Sequence, residues 1–200
     1  APARRYDGRP MPTSHAIPGL PPLEPSAPES QERLARLERK FPGRIAEVRE
    51  ACAYAPDPDL ALAGIERYVD GAGALPAEPD LLEALALLCG GSRLVAALLA
   101  RDPRLLRRAA RSPHLLRPRT EADLRRVLSR TARNLDRDDV DGFHRLLRRL
   151  RAREVVRIAL RDLRRARVKE ITAELSALAC ACVDAAIRFH DRRLRARHGA

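Results

Sequence analysis

The chain has 200 residues, of which 45% are hydrophobic but only 3% aromatic, and it carries a net charge of +12. Its abundant Leu, Ala, Arg and Glu favour helices, whereas the β-branched and aromatic residues that favour strands are scarce. The composition therefore predicts an all-α fold, a multi-helix bundle. No run of about 18 uncharged apolar residues occurs, so no membrane-spanning segment is expected.

The charge is unevenly spread along the chain. Residues 1–100 contain 11 Lys+Arg against 14 Asp+Glu, a net −3, whereas residues 101–200 contain 28 against 13, a net +15. A strongly basic half is typical of chains that bind nucleic acid or an acidic partner. However, all basic residues except Lys40 and Lys169 are Arg, which resembles a compositional bias. A solvated, partly ion-paired surface is therefore the favoured interpretation.

The N-terminal segment differs from the rest of the chain. Residues 1–29 contain eight of the sixteen prolines. Because proline lacks a backbone donor and interrupts helices, we predict a disordered, Pro-rich leader over 1–29 and a helical domain over 30–200.

Several short patterns mark helix starts after this leader. Each combines a capping side chain with a proline or with the beginning of an apolar helical pattern. The predicted starts are Ser30, Asp57-Pro58, Ser92, Asp102-Pro103, Ser112-Pro113 and Thr120, the last with Asp123 as an approximate capping box over a helix at 121–135.

Two long helices end the chain. Asp138 and Asp139 precede the first, predicted over roughly 140–165, and we interpret these aspartates as helix-start residues and not as metal ligands. The second, from Val168 to about 195, is predicted to be a long C-terminal helix with one continuous apolar seam. The predicted seam is Val168, Ile171, Leu175, Leu178, Cys182, Ala185 and Phe189.

No catalytic or metal-binding constellation is predicted. Cys180 and Cys182 lie about 200° apart around a helix, so they cannot share one ion. All four cysteines lie in apolar helical patterns, which favours buried thiols in a cytoplasmic chain. Gly90-Gly91-Ser92 is the only candidate phosphate loop, but no strand precedes it, and a tight turn between helices is favoured.

An arginine ridge is the most distinctive pattern. Arg149, Arg153, Arg157 and Arg161 recur every four residues and so share one helix face. Glu154 lies within reach of Arg157 or Arg151, and Asp162 lies within reach of Arg165, which tempers the positive charge. Because guanidinium groups bind phosphate and carboxylate bidentately, the ridge is a candidate partner-binding or interdomain surface; an ordinary outer helix face is the equal alternative.

Three stretches resemble a known family in their order and spacing. They are LLEALALLCGGSRLVAALLARDPRLLRRA (81–109), LRRLRAREVVRIALRDL (147–163) and VKEITAELSALACACVDAAI (168–187), and residues 57–73 fit the same pattern. Together they resemble the N-terminal helical part of the adenylyl-removing domain of bifunctional glutamine synthetase adenylyltransferase/adenylyl-removing enzymes.

The resemblance implies a role in nitrogen assimilation. Such enzymes add AMP to a tyrosine of glutamine synthetase and remove it by phosphorolysis, using ATP, phosphate and Mg²⁺ under the control of PII signal proteins. The implied partners are glutamine synthetase, a PII protein and the enzyme's own catalytic domain. The family's Gly-rich catalytic loop and its Ser-Asp-x-Asp motif do not occur in this sequence, so no catalytic residue is transferred. The alternatives are a stand-alone helical scaffold and, less favoured, a nucleic-acid-binding module.

Overall fold

The computed structural model describes residues 23–136 and 138–199, and this part of the chain contains nine helices and no strand. The all-α prediction is confirmed. The predicted leader lies outside the described residues over positions 1–22. The helices are α1 (Pro28–Lys40), α2 (Ile45–Ala53), α3 (Pro58–Ala72), α4 (Pro79–Gly91), α5 (Arg93–Arg101), α6 (Arg104–Ala110), α7 (Glu121–Ala132), α8 (Val140–Leu163) and α9 (Val168–His198).

Local capping sets several helix starts as the sequence predicts. The Asp57 carboxylate accepts a hydrogen bond from the backbone N–H of Leu60 at 2.9 Å, and the Ser92 hydroxyl accepts one from Val95. Thr120 and Asp123 form a complete, reciprocal capping box at α7. These interactions span only three residues, so they depend little on tertiary structure.

Two predicted starts are wrong. Helix α1 begins at Pro28, so Ser30 lies inside the helix and is buried instead of capping it. Ser112-Pro113 starts no helix; residues 112–120 form a loop in which the Ser112 hydroxyl accepts a hydrogen bond from the backbone of His114.

The larger hydrophobic core lies among α1–α6. Its centre consists of fully buried leucines and small residues of α3, α4 and α5, such as Leu62, Leu85 and Leu99. Helices α3 and α4 approach closely because Gly64 lacks a side chain; a Cβ there would lie 2.4 Å from the Cβ of Cys89. This first region is packed almost wholly by apolar groups.

A second, smaller core lies between α7, α8 and α9, and α8 joins the two cores. Val156 and Leu160 of α8 belong to the larger core, whereas Leu150 and Ile158 belong to the smaller one. At the far end of this second region, the rings of Phe143 and Phe189 stack with centroids 4.1 Å apart.

The buried seam of α9 differs from the predicted one. Ile171, Leu178 and Phe189 are buried as expected, but Val168 and Leu175 are exposed. Glu174 and Ala181, which were not predicted to be in the seam, are buried on the same face as Ile171 and Leu178. The seam turns because α9 packs against α7 and α8 on the face that carries Glu174, and the charge of this residue is satisfied there.

The four thiols have different environments. Cys52 and Cys89 are buried in the larger core, and burial raises the pKa of each to about 12. Cys182 is partly buried, whereas Cys180 is exposed, so the expectation of four buried thiols is wrong for Cys180.

No helix among the described residues combines the length and the apolar character that a membrane-spanning segment requires.

Candidate functional site

The arginine ridge of α8 runs from solvent into the protein interior. Arg149 is exposed and Arg153 is partly exposed, whereas Arg157 and Arg161 are each only 3% exposed. The structure therefore does not bring the four arginines together on one open surface. The two buried guanidinium groups lie among α8, α9 and the 112–120 loop.

Glu154 is the first centre of a buried charge network. Its carboxylate, 1% exposed, accepts hydrogen bonds from Arg157 at 2.9 Å, from Arg119 at 2.5 Å and from Arg153 at 2.9 Å. Of the two partners that the sequence left open for Glu154, the structure shows Arg157. Arg119 comes from the loop before α7, so this carboxylate fixes that loop against α8.

Glu174 of α9 is the second centre. Its carboxylate, 2% exposed, accepts a hydrogen bond from Arg157 at 2.6 Å and one from the backbone N–H of Arg119 at 2.8 Å. It also forms an ion pair with Arg161, which in turn donates to Glu170 at 2.9 Å. Helices α8 and α9 are thus joined by buried ion pairs as well as by apolar contacts.

The 112–120 loop completes the network with backbone carbonyl groups. Arg157 donates to the carbonyl oxygen of His114 at 2.9 Å, and Arg161 donates to that of Leu115 at 3.1 Å. A helix starting at Ser112-Pro113 would direct these carbonyl groups into its own hydrogen bonds. The buried arginines therefore explain why this segment stays a loop.

The environment keeps these groups ionised. Burial alone raises the pKa of Glu154, but the hydrogen bond from Arg157 and the positive charges of Arg119, Arg157 and Arg153 outweigh it, and the pKa lies below the usual value. Burial lowers the pKa of Arg161, against the hydrogen bond to Glu170; a guanidinium nevertheless keeps its proton in proteins.

The network is suited to hold structure and not to perform chemistry. Its carboxylates already accept charged hydrogen bonds, and its buried guanidinium groups already donate to carboxylates and carbonyl groups, so their main binding capacity is used within the chain. Among the described residues, no group of three or more His, Cys, Asp or Glu side chains could hold a metal ion.

Sequence reasoning missed Glu174, Glu170 and Arg119. The available signal was Glu174 itself, which follows Ile171 by three residues and precedes Leu178 by four, and so lies within the apolar seam. A charged residue at a core position indicates a buried partner of opposite charge. The identity of that partner depends on tertiary contacts.

The Gly90-Gly91-Ser92 segment is a packed helix end. Gly91 is the last residue of α4, and a Cβ at this position would lie 2.8 Å from a methyl carbon of Leu163 in α8. Ser92 caps α5. The favoured interpretation of a tight turn between helices agrees with this geometry.

One surface of α9 carries no charge, and we call it the outer face of α9. Between positions 171 and 187, every exposed residue of the helix is uncharged. Val183 and Ile187 are 59% and 63% exposed, although residues 101–200 contain 41 charged residues. The face comprises Thr172, Ala173, Leu175, Ser176, Ala179, Cys180, Val183 and Ile187.

The fold and the charge network define an all-α chain whose buried ionic groups serve its own packing. The family model for glutamate-ammonia ligase adenylyltransferase matches residues 82–200, more than half of the chain. The chain therefore belongs to this family.

A curated relative agrees with this assignment. The bifunctional glutamine synthetase adenylyltransferase/adenylyl-removing enzyme of Pseudomonas aeruginosa is 40% identical over 115 residues. That match covers 57% of this chain and 12% of the relative's length. No solved structure matches the chain significantly.

Proposed function

We propose that the chain forms the N-terminal helical part of the adenylyl-removing domain in a bifunctional enzyme that adds AMP to glutamine synthetase and removes it. In this role the helices brace the catalytic nucleotidyltransferase domain. Support comes from the family match over 82–200 and from the relative, whose name carries both activities. The match spans 12% of that relative, so the helices correspond to a small part of such an enzyme.

The outer face of α9 is the observation that carries this proposal. Leu175, Val183 and Ile187 are exposed together on an uncharged face of an otherwise highly charged surface, and exposed apolar residues grouped in this way mark sites where another surface packs. Ser176, Ala179 and Cys180 are small, so a partner can approach the helix closely between Leu175 and Val183. No charged side chain interrupts the exposed surface over four turns.

The proposed occupant of this face is the catalytic domain of the same polypeptide. Interdomain contacts within one chain are of moderate size, and the covalent link supplies a high effective concentration. One apolar helix face is therefore sufficient to position a domain that would not bind it tightly as a separate molecule.

The remaining partners follow from the family. Glutamine synthetase is the proposed substrate, a PII signal protein the proposed regulator, and ATP, phosphate and Mg²⁺ the proposed ligands of the catalytic domain in the cytoplasm. For docking of an acidic partner, the available part of the arginine ridge is the exposed Arg149 with the partly exposed Arg153. Arg157 and Arg161 are satisfied internally.

The test uses the complete enzyme that contains these helices. Val183→Asp places a charge on the outer face of α9, and burying it against the catalytic domain would be costly. We expect the phosphorolytic removal of AMP from adenylylated glutamine synthetase to slow by about tenfold or more, corresponding to about 1.4 kcal/mol or more.

The matched control is Leu94→Asp. Leu94 is 58% exposed on α5, much like Val183, but lies in the first region. We expect this control to keep the wild-type rate, and both variants to melt like the wild type when the 200-residue chain is studied alone. A Val183→Asp enzyme as active as the control would contradict the bracing role.

A further inference from the structure

A basic groove lies between the end of α7 and the C-terminal half of α9. Its cavity of about 430 Å³ is lined by Ser129, Ala132, Arg133, Arg188, Asp191 and Arg192. A smaller cavity of about 60 Å³ continues it inward and is lined in part by Phe143 and Ala181. The groove faces α7, so it is distinct from the outer face of α9.

The acidic residues of the two cavities are already engaged. Asp184 binds Arg188 at 3.1 Å and Arg125 at 3.3 Å. Asp191 binds Arg195, which does not line the groove, at 2.9 Å. Each carboxylate therefore pairs with arginines other than Arg133 and Arg192.

Arg133 and Arg192 supply the excess positive charge. Arg192 donates through Nε to the backbone carbonyl of Arg188 at 3.2 Å, and neither it nor Arg133 forms an ion pair with a carboxylate of the described residues. Two guanidinium groups with unused N–H donors thus line one cavity, and Ser129 adds a hydroxyl group there. Guanidinium groups bind phosphate oxygens bidentately.

The shape of the groove strengthens its preference for phosphate groups. Its inner wall is apolar, with Leu128, Phe143, Ala181 and Ala185 beneath the charged rim. The rim carries more arginines than aspartates, and a low-dielectric wall behind this net positive charge focuses the potential and attracts anions. A volume of about 430 Å³ falls in the range of small-molecule sites and exceeds the size of a single phosphate.

We propose that this groove binds a small molecule with a polyphosphate group, held by Arg133 and Arg192. The shared chemistry is a chain of phosphoryl oxygens, which inorganic tripolyphosphate and a nucleoside triphosphate both provide. This site uses residues that the proposed bracing role does not use. It therefore stands or falls separately from the outer face of α9.

The experiment is calorimetric titration of the 200-residue chain with inorganic tripolyphosphate and, separately, with a nucleoside triphosphate. We expect one site, weakened by added salt, for the wild type. Arg133→Gln with Arg192→Gln should weaken binding at least a hundredfold, since hydrogen bonds to charged groups each contribute about tenfold or more.

The matched control removes the same net charge elsewhere. Arg108→Gln with Arg148→Gln changes two exposed arginines that do not line the groove. We expect this control to bind tripolyphosphate as the wild type does. If the wild type binds the nucleoside triphosphate more tightly than tripolyphosphate, a nucleotide is the source of the phosphates. Equal loss in both double variants, or no saturable binding by the wild type, would overturn the proposal and leave a solvated basic surface.

Discussion

The two regions of this chain are stabilised by different means. In the first region, α1–α6, the buried residues are apolar except for Ser30, and ion pairs such as Arg36–Glu66 lie at or near the surface. In the second region, α7–α9 with the loop before α7, four charged residues are buried together. They are Glu154, Arg157, Arg161 and Glu174.

The difference shows how a small core can still be specific. The second core has seven buried apolar residues, against 27 in the first. Three helices with so few apolar contacts could slide along one another. Buried ion pairs add little net stability compared with apolar packing, but they define one register, since a shifted helix would leave charges unpaired.

The largest effect should come from breaking the charge network. Glu174→Gln removes the negative charge that Arg157 and Arg161 share while keeping the side-chain shape. Removing one partner of a buried pair leaves an uncompensated charge, so we expect the free energy of unfolding to fall by about 3–5 kcal/mol. Urea unfolding followed by far-UV circular dichroism measures this change.

Asp191→Asn is the matched control for Glu174→Gln. It is also an acid-to-amide change on α9, but its ion pair with Arg195 is exposed. Exposed pairs are screened by solvent, so we expect no measurable shift of the unfolding midpoint. If the free energy of unfolding fell by a similar amount in the two variants, the buried network would contribute no more to stability than an exposed ion pair.

A similar or somewhat smaller effect is expected from the apolar core of the first region. Leu85 is fully buried in α4, and Leu85→Ala should lower the free energy of unfolding by about 2–5 kcal/mol because it leaves a cavity. The same denaturation experiment tests this, with the exposed Leu94→Ala as control. A loss no larger than that of the control would mean that the first core can repack around the cavity.

The pH dependence of stability should report on the buried charge network of the second region. The pKa of Glu154 lies below its usual value of 4.5 in the folded chain, so its stabilising contribution is complete above that value. The contribution is lost as the pH falls from about 4.5 through the folded pKa. We expect Glu154→Gln, compared with the wild type in urea unfolding at several pH values, to be less stable at pH 7 and less sensitive to acid. Parallel pH profiles would contradict this.

The smallest perturbation is alkylation of the thiols with iodoacetamide, followed by mass spectrometry. In the folded wild type the exposed Cys180 should react first, whereas Cys52 and Cys89, whose pKa values burial raises to about 12, should react only on unfolding.

The same reagent can report on each region separately. In Glu174→Gln we expect the partly buried Cys182 to react faster while Cys89 keeps its wild-type rate. Equal acceleration at both positions would show that the two regions open together and are not independent.

Much of the secondary structure could be read from the sequence because its determinants are local. The caps at Asp57, Ser92 and Thr120 each act over three residues, and the two long C-terminal helices follow from their own periodicity. The same local patterns also produced the wrong start at Ser112-Pro113. The residues near this position give no sign that Arg157 and Arg161, more than 40 positions away, donate hydrogen bonds to the carbonyl groups of the loop.

The sequence by itself determined the all-α fold and most of the helix starts, and it limited the partners of Glu154 within α8 to Arg157 or Arg151. Only the tertiary structure decided that Arg157 and Arg161 are buried and that α9 turns Glu174 inward and Val183 outward. The physical reason is the separation of the partners. Arg119 binds residues 35 and 55 positions away, and Arg157 binds a carbonyl 43 positions away. Periodicity describes one helix, whereas the burial of a face depends on which other helices pack against it.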